Sequence, residues 1–322
     1  MKLRNPFDTT SLAQMRGLDT AFRWTTYACG AGVLLLLLSI FVVLFQGGWP
    51  AFKELGLGFF TKAKWNPVEL DFGVLAPVYG TLVSSAIAII IAVPVSFGIA
   101  LFISELAPSW LRQPVSTAIE LLAAIPSIIY GMWGLFVFAP FFSEHLHGPI
   151  ETFFSGVPVL QSLFTGPPLG IGMLPTGIIL GIMIIPFISS IMRDVFIATP
   201  GILKESAYAM GCTMWEVARN VTLPYTRLAV TGGIFLGLGR ALGETMAVTF
   251  VIGNTHNLNF SLLEPGTSIA ATLANEFAEA YSPLYVSALI ALGLVLFMIT
   301  FVVLVLARLL LMRLNRMEGK AA

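Results

Sequence analysis

The run Gly237-Leu238-Gly239-Arg240-Ala241-Leu242-Gly243-Glu244-Thr245-Met246-Ala247 sets a guanidinium and a carboxylate inside a mostly apolar stretch, 226–253. Arg240 lies fourteen residues past Thr226, about 21 Å along a helix that rises 1.5 Å per residue. If 226–253 crosses a bilayer, whose hydrocarbon core is about 30 Å thick, the charge falls near the middle. Holding an arginine there costs about 2.5–3.5 kcal/mol on insertion scales. The side chain must therefore face protein or a water-filled path. Its forked donors suit an oxyanion. Glu244 follows four residues later on the same helical face and can pair with it. A gate, a substrate contact and a buried ion pair that fixes packing are all open readings. Gly232, Gly233, Gly237, Gly239 and Gly243 offer small surfaces that let neighbouring helices come close.

A second constellation is the polar stretch from Pro200 to Pro224, lodged between apolar spans. Thr199 is placed to cap a helix opening at Pro200, where a missing N–H costs nothing. Gly211 can end that helix in the left-handed conformation. Thr213 and Glu216 have capping-box spacing for a second helix, and Pro224 breaks the pattern where the next span begins. Ile202, Leu203 and Met210 give the first helix an apolar stripe suited to a groove in a partner. Covering helix ends is the plainer role for such a loop. A membrane passage that a soluble motor must push needs something more like a docking element.

Other charges carry weaker signals. Glu120 is expected in the first turns of the third span, where a carboxylate complements the helix dipole. Arg193 and Asp194 lie near the inner end of the fourth span and are expected to pair at the interface, with coupling to the motor as the other reading. Ser127 with Tyr130, and Ser189 with Ser190, lack a convincing base for covalent chemistry. The chain contains no Gly-x-x-x-x-Gly-Lys-Ser/Thr phosphate loop. His145, His147 and His256 have no metal-ligand partners at useful spacing, so no metal site is expected. Cys29 and Cys212 fall at or near the cytoplasmic side, where no disulfide is expected.

The elements that hold these residues follow from composition. Hydrophobic residues make up 57% of 322 and charged residues 11%, with mean hydropathy +0.89. A soluble domain carries about twice that charge fraction, so an all-α polytopic membrane protein is indicated. Six stretches reach the roughly 20 residues that a crossing helix needs: near 25–46, 76–104, 115–142, 173–198, 226–253 and 283–307. Pro94, Pro126, Pro140 and Pro186 fall inside them and permit kinks. Thirteen Lys and Arg residues lie in the segments placed inside, and three, Lys53, Lys62 and Lys64, in those placed outside. Both termini and the 200–224 loop are then cytoplasmic. The first span is too long for a removable signal and lacks a cleavage site.

The organisation expected is an N-terminal cytoplasmic arm over 1–24, one membrane domain over 25–312 and a cytoplasmic tail over 313–322. The aromatics of 47–75 suit a membrane–water boundary, and the Pro- and Gly-rich segment 143–172 should be irregular. Residues 268–280 read as a helix with Glu276 and Glu279 on its polar side. That helix suits either a landing surface for a solute-binding protein or a plug over the outer mouth.

Two sets of residues carry a family resemblance. Glu205-Ser206-Ala207, Gly211, then Leu223-Pro224 after Val221-Thr222 resemble the EAA loop of ABC-importer permeases, with serine for the family's second alanine and valine for its usual isoleucine. The runs 239–247, 120–131 (Glu-Leu-Leu-Ala-Ala-Ile-Pro-Ser-Ile-Ile-Tyr-Gly) and 273–278 (Leu-Ala-Asn-Glu-Phe-Ala) are similar to the PstC family of phosphate-specific permeases, a match running from about 25 to about 315. The resemblance implies the type I importer fold, with Glu205, Ala207, Gly211, Leu223 and Pro224 coupling to an ATPase, and Arg240 and Glu244 on the phosphate path. It also implies a homologous PstA-type subunit, two PstB-type ATPases and a periplasmic PstS-type phosphate-binding protein. ATP and Mg would be used by the ATPases and no cofactor by this chain, which would catalyse nothing itself. Residue chemistry alone supports an anion, and another oxyanion is the alternative. An ion-coupled secondary anion transporter would show inverted repeats and more spans, and it leaves the 200–224 loop unexplained.

Overall fold

A computed structural model describes residues 9–318, with side-chain surroundings for 18–157 and 161–313. Residues 1–8 of the expected arm and 319–322 of the expected tail lie outside the described residues. Six helical stretches among those described are long and apolar enough to cross a membrane. They are Leu18–Leu55, Leu75–Leu106, Ser127–Phe154, Met173–Ile197, Met214–Leu242 and Pro283–Arg313.

In chain order, α1 (Thr9–Leu55) carries the first span and takes in residues 9–24 of the expected arm. The short α2 (Gly58–Thr61) leads to a two-stranded antiparallel hairpin, β1 (Trp65–Asn66) and β2 (Asp71–Phe72), pairing Trp65 with Phe72. The second span is α3 (Leu75–Leu101), extended by one wide turn at Phe102–Leu106. Next comes α4 (Ser109–Ala123), which has no buried residue.

The third span differs from expectation. It starts at Ser127, not near 115, because Pro126 disfavours helix at the residue before it and takes an extended conformation itself. Residues 109–123 form the separate helix α4, and the Tyr130 hydroxyl donates to the Leu122 carbonyl across the bend at 3.0 Å. The span itself is α5 (Ser127–Trp133), α6 (Ala139–Phe141) and α7 (His147–Phe154), joined by wide turns at Gly134–Phe138 and Phe142–Leu146. The segment expected to be irregular is thus helical in part, through α7 and α8 (Pro158–Leu163).

The fourth span is α9 (Met173–Ile197). After it come α10 (Gly201–Ala209), α11 (Met214–Val217), a wide turn at Ala218–Thr222 and α12 (Leu223–Leu242). Pro224 does not break this helix as expected. The Leu223 N–H reaches back five residues to Ala218, and that extra residue accommodates a ring with no N–H to give. The same device precedes Pro140, where the Ala139 N–H reaches Gly134. The remaining helices are α13 (Met246–Val251), α14 (Ile269–Glu276) and α15 (Pro283–Glu318).

One helix organises the core. Within α9, 61% of the most apolar window is buried inside this chain, against at most 28% in any other span. Glycines on α9 and on α12 are the reason. Gly177 faces Ile87 of α3, while Gly233 and Gly237 of α12 receive Ile191 and Ile188 of α9. Close approach through small residues is how helices associate where hydrocarbon removes the hydrophobic drive. Ser96 of α3 adds a hydrogen bond to the Ile185 carbonyl at 3.1 Å. The other spans leave broad faces for lipid or for other chains.

A second core gathers the end of α1, the hairpin, α14 and α15 around Phe59, Trp65, Phe72 and Leu289. Here Gly48 lies against Ala291. The Ser287 hydroxyl accepts from the Ala51 N–H at 3.0 Å and donates to the Gly47 carbonyl at 2.8 Å. It bridges the backbone where Pro50 interrupts α1.

These contacts separate two glycines by effect. A Cβ at Gly177 would lie 2.6 Å from the branched Cβ of Ile87, whereas Gly232 has nothing within 4 Å. Gly177→Val should cost about 1–3 kcal/mol by overpacking and lower the thermal midpoint of the chain in detergent. Gly232→Val should leave that midpoint nearly unchanged, and equal losses in the two variants would contradict this packing.

Candidate functional site

The residues singled out at membrane depth sit at a break, not on one continuous helix. α12 stops at Leu242, Gly243 caps it, and α13 restarts at Met246. Gly243 costs a helix more than alanine does, and Thr245 competes for local hydrogen bonds, donating to the Gly243 carbonyl at 3.5 Å. The break corrects the expected Arg240–Glu244 pair. Glu244 no longer lies one turn beyond Arg240, and its Oε1 accepts the Ala247 N–H at the start of α13, at 3.3 Å. No ion pair joins the two among the described residues. The Arg240 guanidinium carbon is 5.8 Å from the centre of the Phe187 ring, and the side chain is exposed on this chain.

Support comes from one side only. Gly131 of α5 packs against Phe250 and the backbone of α13, holding the restarted helix in place. On the other side Gly239 and Gly232 face nothing within 4 Å. A non-helical turn and a guanidinium at this depth need protein or a water-filled cavity around them. The arrangement can present cationic donors to an anion on an open face of the chain.

The 200–224 loop forms the expected pair of helices with one change. Pro200 occupies the cap of α10 in extended conformation, with no side-chain cap, and the buried Thr199 hydroxyl finds no partner. Thr199 therefore does not cap. Gly211 has φ +88°, and the Cys212 N–H returns to the Ala207 carbonyl at 3.1 Å, closing α10 with Ala207 buried beneath. The capping box forms in full: the Thr213 N–H donates to Glu216 at 2.7 Å, and the Glu216 N–H returns to the Thr213 hydroxyl at 3.4 Å. Ile202 and Met210 are 71% and 80% exposed, so the apolar stripe is free in this chain. Glu205, Gly211 and Pro224 are exposed as well, and Leu223 is half-buried.

The same end carries Arg193, Asp194 and Glu120. Arg193 binds Asp194 at 2.8 Å, as expected, and also Glu120 at 3.0 Å. Glu120 lies in the last turns of α4, not the first turns of a span, so it clamps α4 to α9 and does not complement a helix N-terminus. With Arg112, Gln113 and Ser116 these residues line an open cleft of about 430 Å³.

Two charged contacts escaped the sequence. Lys204 of α10 binds Glu105, in the wide turn ending α3, at 2.5 Å, with side chains only 15% and 10% exposed. At the opposite end Glu276 does not face solvent. It accepts from the Trp65 indole and from the Tyr285 hydroxyl at 2.7 Å, and it pairs with His256 at 2.5 Å. Burial pushes this carboxyl up, but the donors from His256, Tyr285 and Trp65 more than offset it and hold it below the usual carboxylate range. Both contacts join residues remote in sequence, 99 and 211 apart for the Lys204 and Trp65 bonds, and no local spacing announces them.

The profile of one family, the binding-protein-dependent transport system inner membrane component, matches residues 92–316. The chain belongs to this family. Relatives called phosphate transport system permease protein PstC are similar over nearly the whole length. The one from Xylella fastidiosa is 58% identical over 301 residues, 94% of this chain and 93% of its own. That from Mesorhizobium japonicum is 56% identical over 94% of this chain and 92% of its own. A probable PstC of Methanocaldococcus jannaschii is 38% identical over 84% and 86%. Among solved structures, a bacterial alginate ABC transporter with its periplasmic protein matches at TM-score 0.59 and 16% identity, covering 90% of this chain and 94% of that one. The MetNI methionine ABC transporter, facing inward, matches at 0.55 and 14%, covering 75% and 95%. These likenesses establish the all-α importer-permease fold, and the family description makes the chain a membrane component that depends on a binding protein.

The Glu276 cluster makes the chain's response to acid predictable. A folded-state value below the unfolded one means the contact stabilises fully above the unfolded carboxylate range, near pH 4.3. That stability is lost as pH falls through the lower, folded value. The emission contributed by Trp65, taken as wild type minus Trp65→Phe, should hold steady from about pH 6 to about pH 4.5 and change only below. In Glu276→Gln the change below that range should vanish; an identical acid transition there would place its origin elsewhere.

Proposed function

We propose that this chain is the permease subunit of an ATP-driven inorganic phosphate importer, forming half of the translocation path in the cytoplasmic membrane of a bacterium. The observation that carries the reading is a guanidinium beside a helix break at membrane depth, open on the face where this chain has no further element to cover it. Relatives more than 50% identical over 94% of the chain are called phosphate transport permeases, which supports phosphate over other oxyanions.

The missing half is a homologous PstA-type subunit. Two PstB-type ATPases use ATP and Mg below, and a PstS-type periplasmic protein brings phosphate from above. This chain binds no cofactor and catalyses no reaction. Both termini and the 200–224 loop are cytoplasmic, in keeping with the excess of Lys and Arg there.

The residues divide the work. Ile202 and Met210 seat α10 in a groove of the ATPase, with Glu205, Ala207, Gly211, Leu223 and Pro224 fixing the loop's shape and its union with α12. ATP closes the ATPase pair, the loop follows, and the passage opens outward to the docked binding protein. Arg240 offers donors to the anion as it passes. Glu244, held at the start of α13, sets a negative charge beside the path and keeps the anion from resting there. Hydrolysis returns the passage to the inward state.

Two substitutions test this division. Arg240→Gln should leave the importer assembled and cut phosphate uptake to below about one-hundredth, the usual scale for losing a donor aimed at an anion; unchanged uptake would remove Arg240 from the path. Gly211→Val should strain the turn by about 1–2 kcal/mol, because a β-branched residue resists positive φ. Uptake per ATP hydrolysed should drop in that variant, and normal uptake with normal assembly would contradict the docking role.

A further inference from the structure

Lys204 behaves unlike its neighbours. In α10 the long side chains of Ile202, Glu205 and Tyr208 are exposed, whereas Lys204 turns inward. Its ammonium meets Glu105 Oε1 at 2.5 Å and donates to the Phe196 carbonyl at 3.1 Å. Three elements meet at one charge: the docking loop, the end of α3, and the last turn of α9. The grip on α9 is backed by Phe196 itself, which is buried and packs edge-on against Phe97 of α3 at 5.8 Å.

The contact is built differently from the Arg193 pairs at this end. Glu120, the partner of Arg193, has a side chain 55% exposed, so water and salt screen that pair. Lys204 and Glu105 are both nearly buried, and screening there is much weaker. Glu105 also sits in a wide turn, where the Ala107 N–H reaches back to Phe102 at 2.7 Å. Such turns are frequent where helices serve a function.

The far end of α3 carries a second fixed contact. The Thr81 hydroxyl accepts the Ile269 N–H at 2.9 Å, at the first turn of α14. A Cβ at Gly80 would lie 1.9 Å from the Thr267 carbonyl, so the loop entering α14 rests directly on the α3 backbone. Between these ends α3 runs as one continuous helix, with Pro94 inside it, packed along α9.

We propose that the Lys204–Glu105 ion pair is the mechanical link that delivers motion of the docking loop to α3 and, through it, to the outer helix α14. The inference rests on the importer reading given above. Lys204 and Glu105 are positioning residues: they touch neither the anion nor nucleotide. A flexible four-carbon stem lets Lys204 keep hold of both acceptors while α10 tilts.

The test uses the complete importer in proteoliposomes, with a fluorescent probe on Ala274→Cys of α14 in a background where Cys29 and Cys212 are serine. ATP hydrolysis, labelled-phosphate uptake and the probe's response to ATP are measured together. Glu105→Gln and Lys204→Met should still hydrolyse ATP, yet carry at least about tenfold less phosphate per ATP and lose most of the probe response. Lys204→Arg should retain both, because charge and donors remain. The double variant Glu105→Gln with Lys204→Met leaves no unpaired buried charge, so it folds even where a single variant does not; it should be uncoupled too. A wild-type ratio and probe response in the double variant would overturn the proposal, as would hydrolysis and uptake falling in proportion. If the wild type hydrolyses ATP and moves the probe without taking up phosphate, the substrate reading fails while the link is still measured by the probe.

Discussion

Hydrocarbon offers no hydrogen bonds, and the rest of the structure depends on how that constraint is met at Gly243–Thr245. A helix broken at membrane depth exposes backbone groups that only protein or trapped water can satisfy. Here one side is satisfied from within, by α5 against α13 and by Glu244 on the Ala247 N–H. The other side, with Arg240, is left open. In the importer proposed above, a companion subunit covers that face, and an anion or an aqueous path meets the guanidinium.

The same constraint explains why α9 is the buried helix. Charges at the two ends and a break near the middle must be held in register without hydrophobic pressure between helices. Gly177 of α9 against α3, and Gly233 and Gly237 of α12 against α9, supply that register. α10 follows α9 after three residues and is tied back to it through Lys204 and Phe196. The exposed loop and the exposed break therefore belong to one packed unit, although no side chain reaches from one to the other. At the opposite end, Glu276 gathers β1, α15 and the segment before α14 around a single carboxylate.

Much of this could be read from residue order because it is local. The spans follow from hydropathy and length, Gly211 from the need for positive φ, and the Thr213–Glu216 box from spacing alone. The failures are also physical. Residues 115–142 read as one apolar run, yet Pro126 forbids the helix that hydropathy suggests, and α4 separates. Pro224 reads as a stop, yet a single wide turn absorbs it. Gly243-Glu244-Thr245 fits helical periodicity, which suggests an Arg240–Glu244 pair, yet the break moves Glu244 to α13. The partners of Glu105 and Glu276 lie far along the chain, where only the fold brings them together.

In the proposed importer, the open face at Arg240 lines a passage whose access switches with the nucleotide state. Gly239 has room for a side chain and adjoins Arg240 without replacing it. With Cys29 and Cys212 changed to serine, Gly239→Cys in the assembled complex can be challenged from either side of a sealed vesicle with a membrane-impermeant thiol reagent. Labelling is expected from the cytoplasmic side without nucleotide and from the outer side when ATP is trapped. Labelling that ignores nucleotide, or a thiol that neither side can reach in any state, would contradict it.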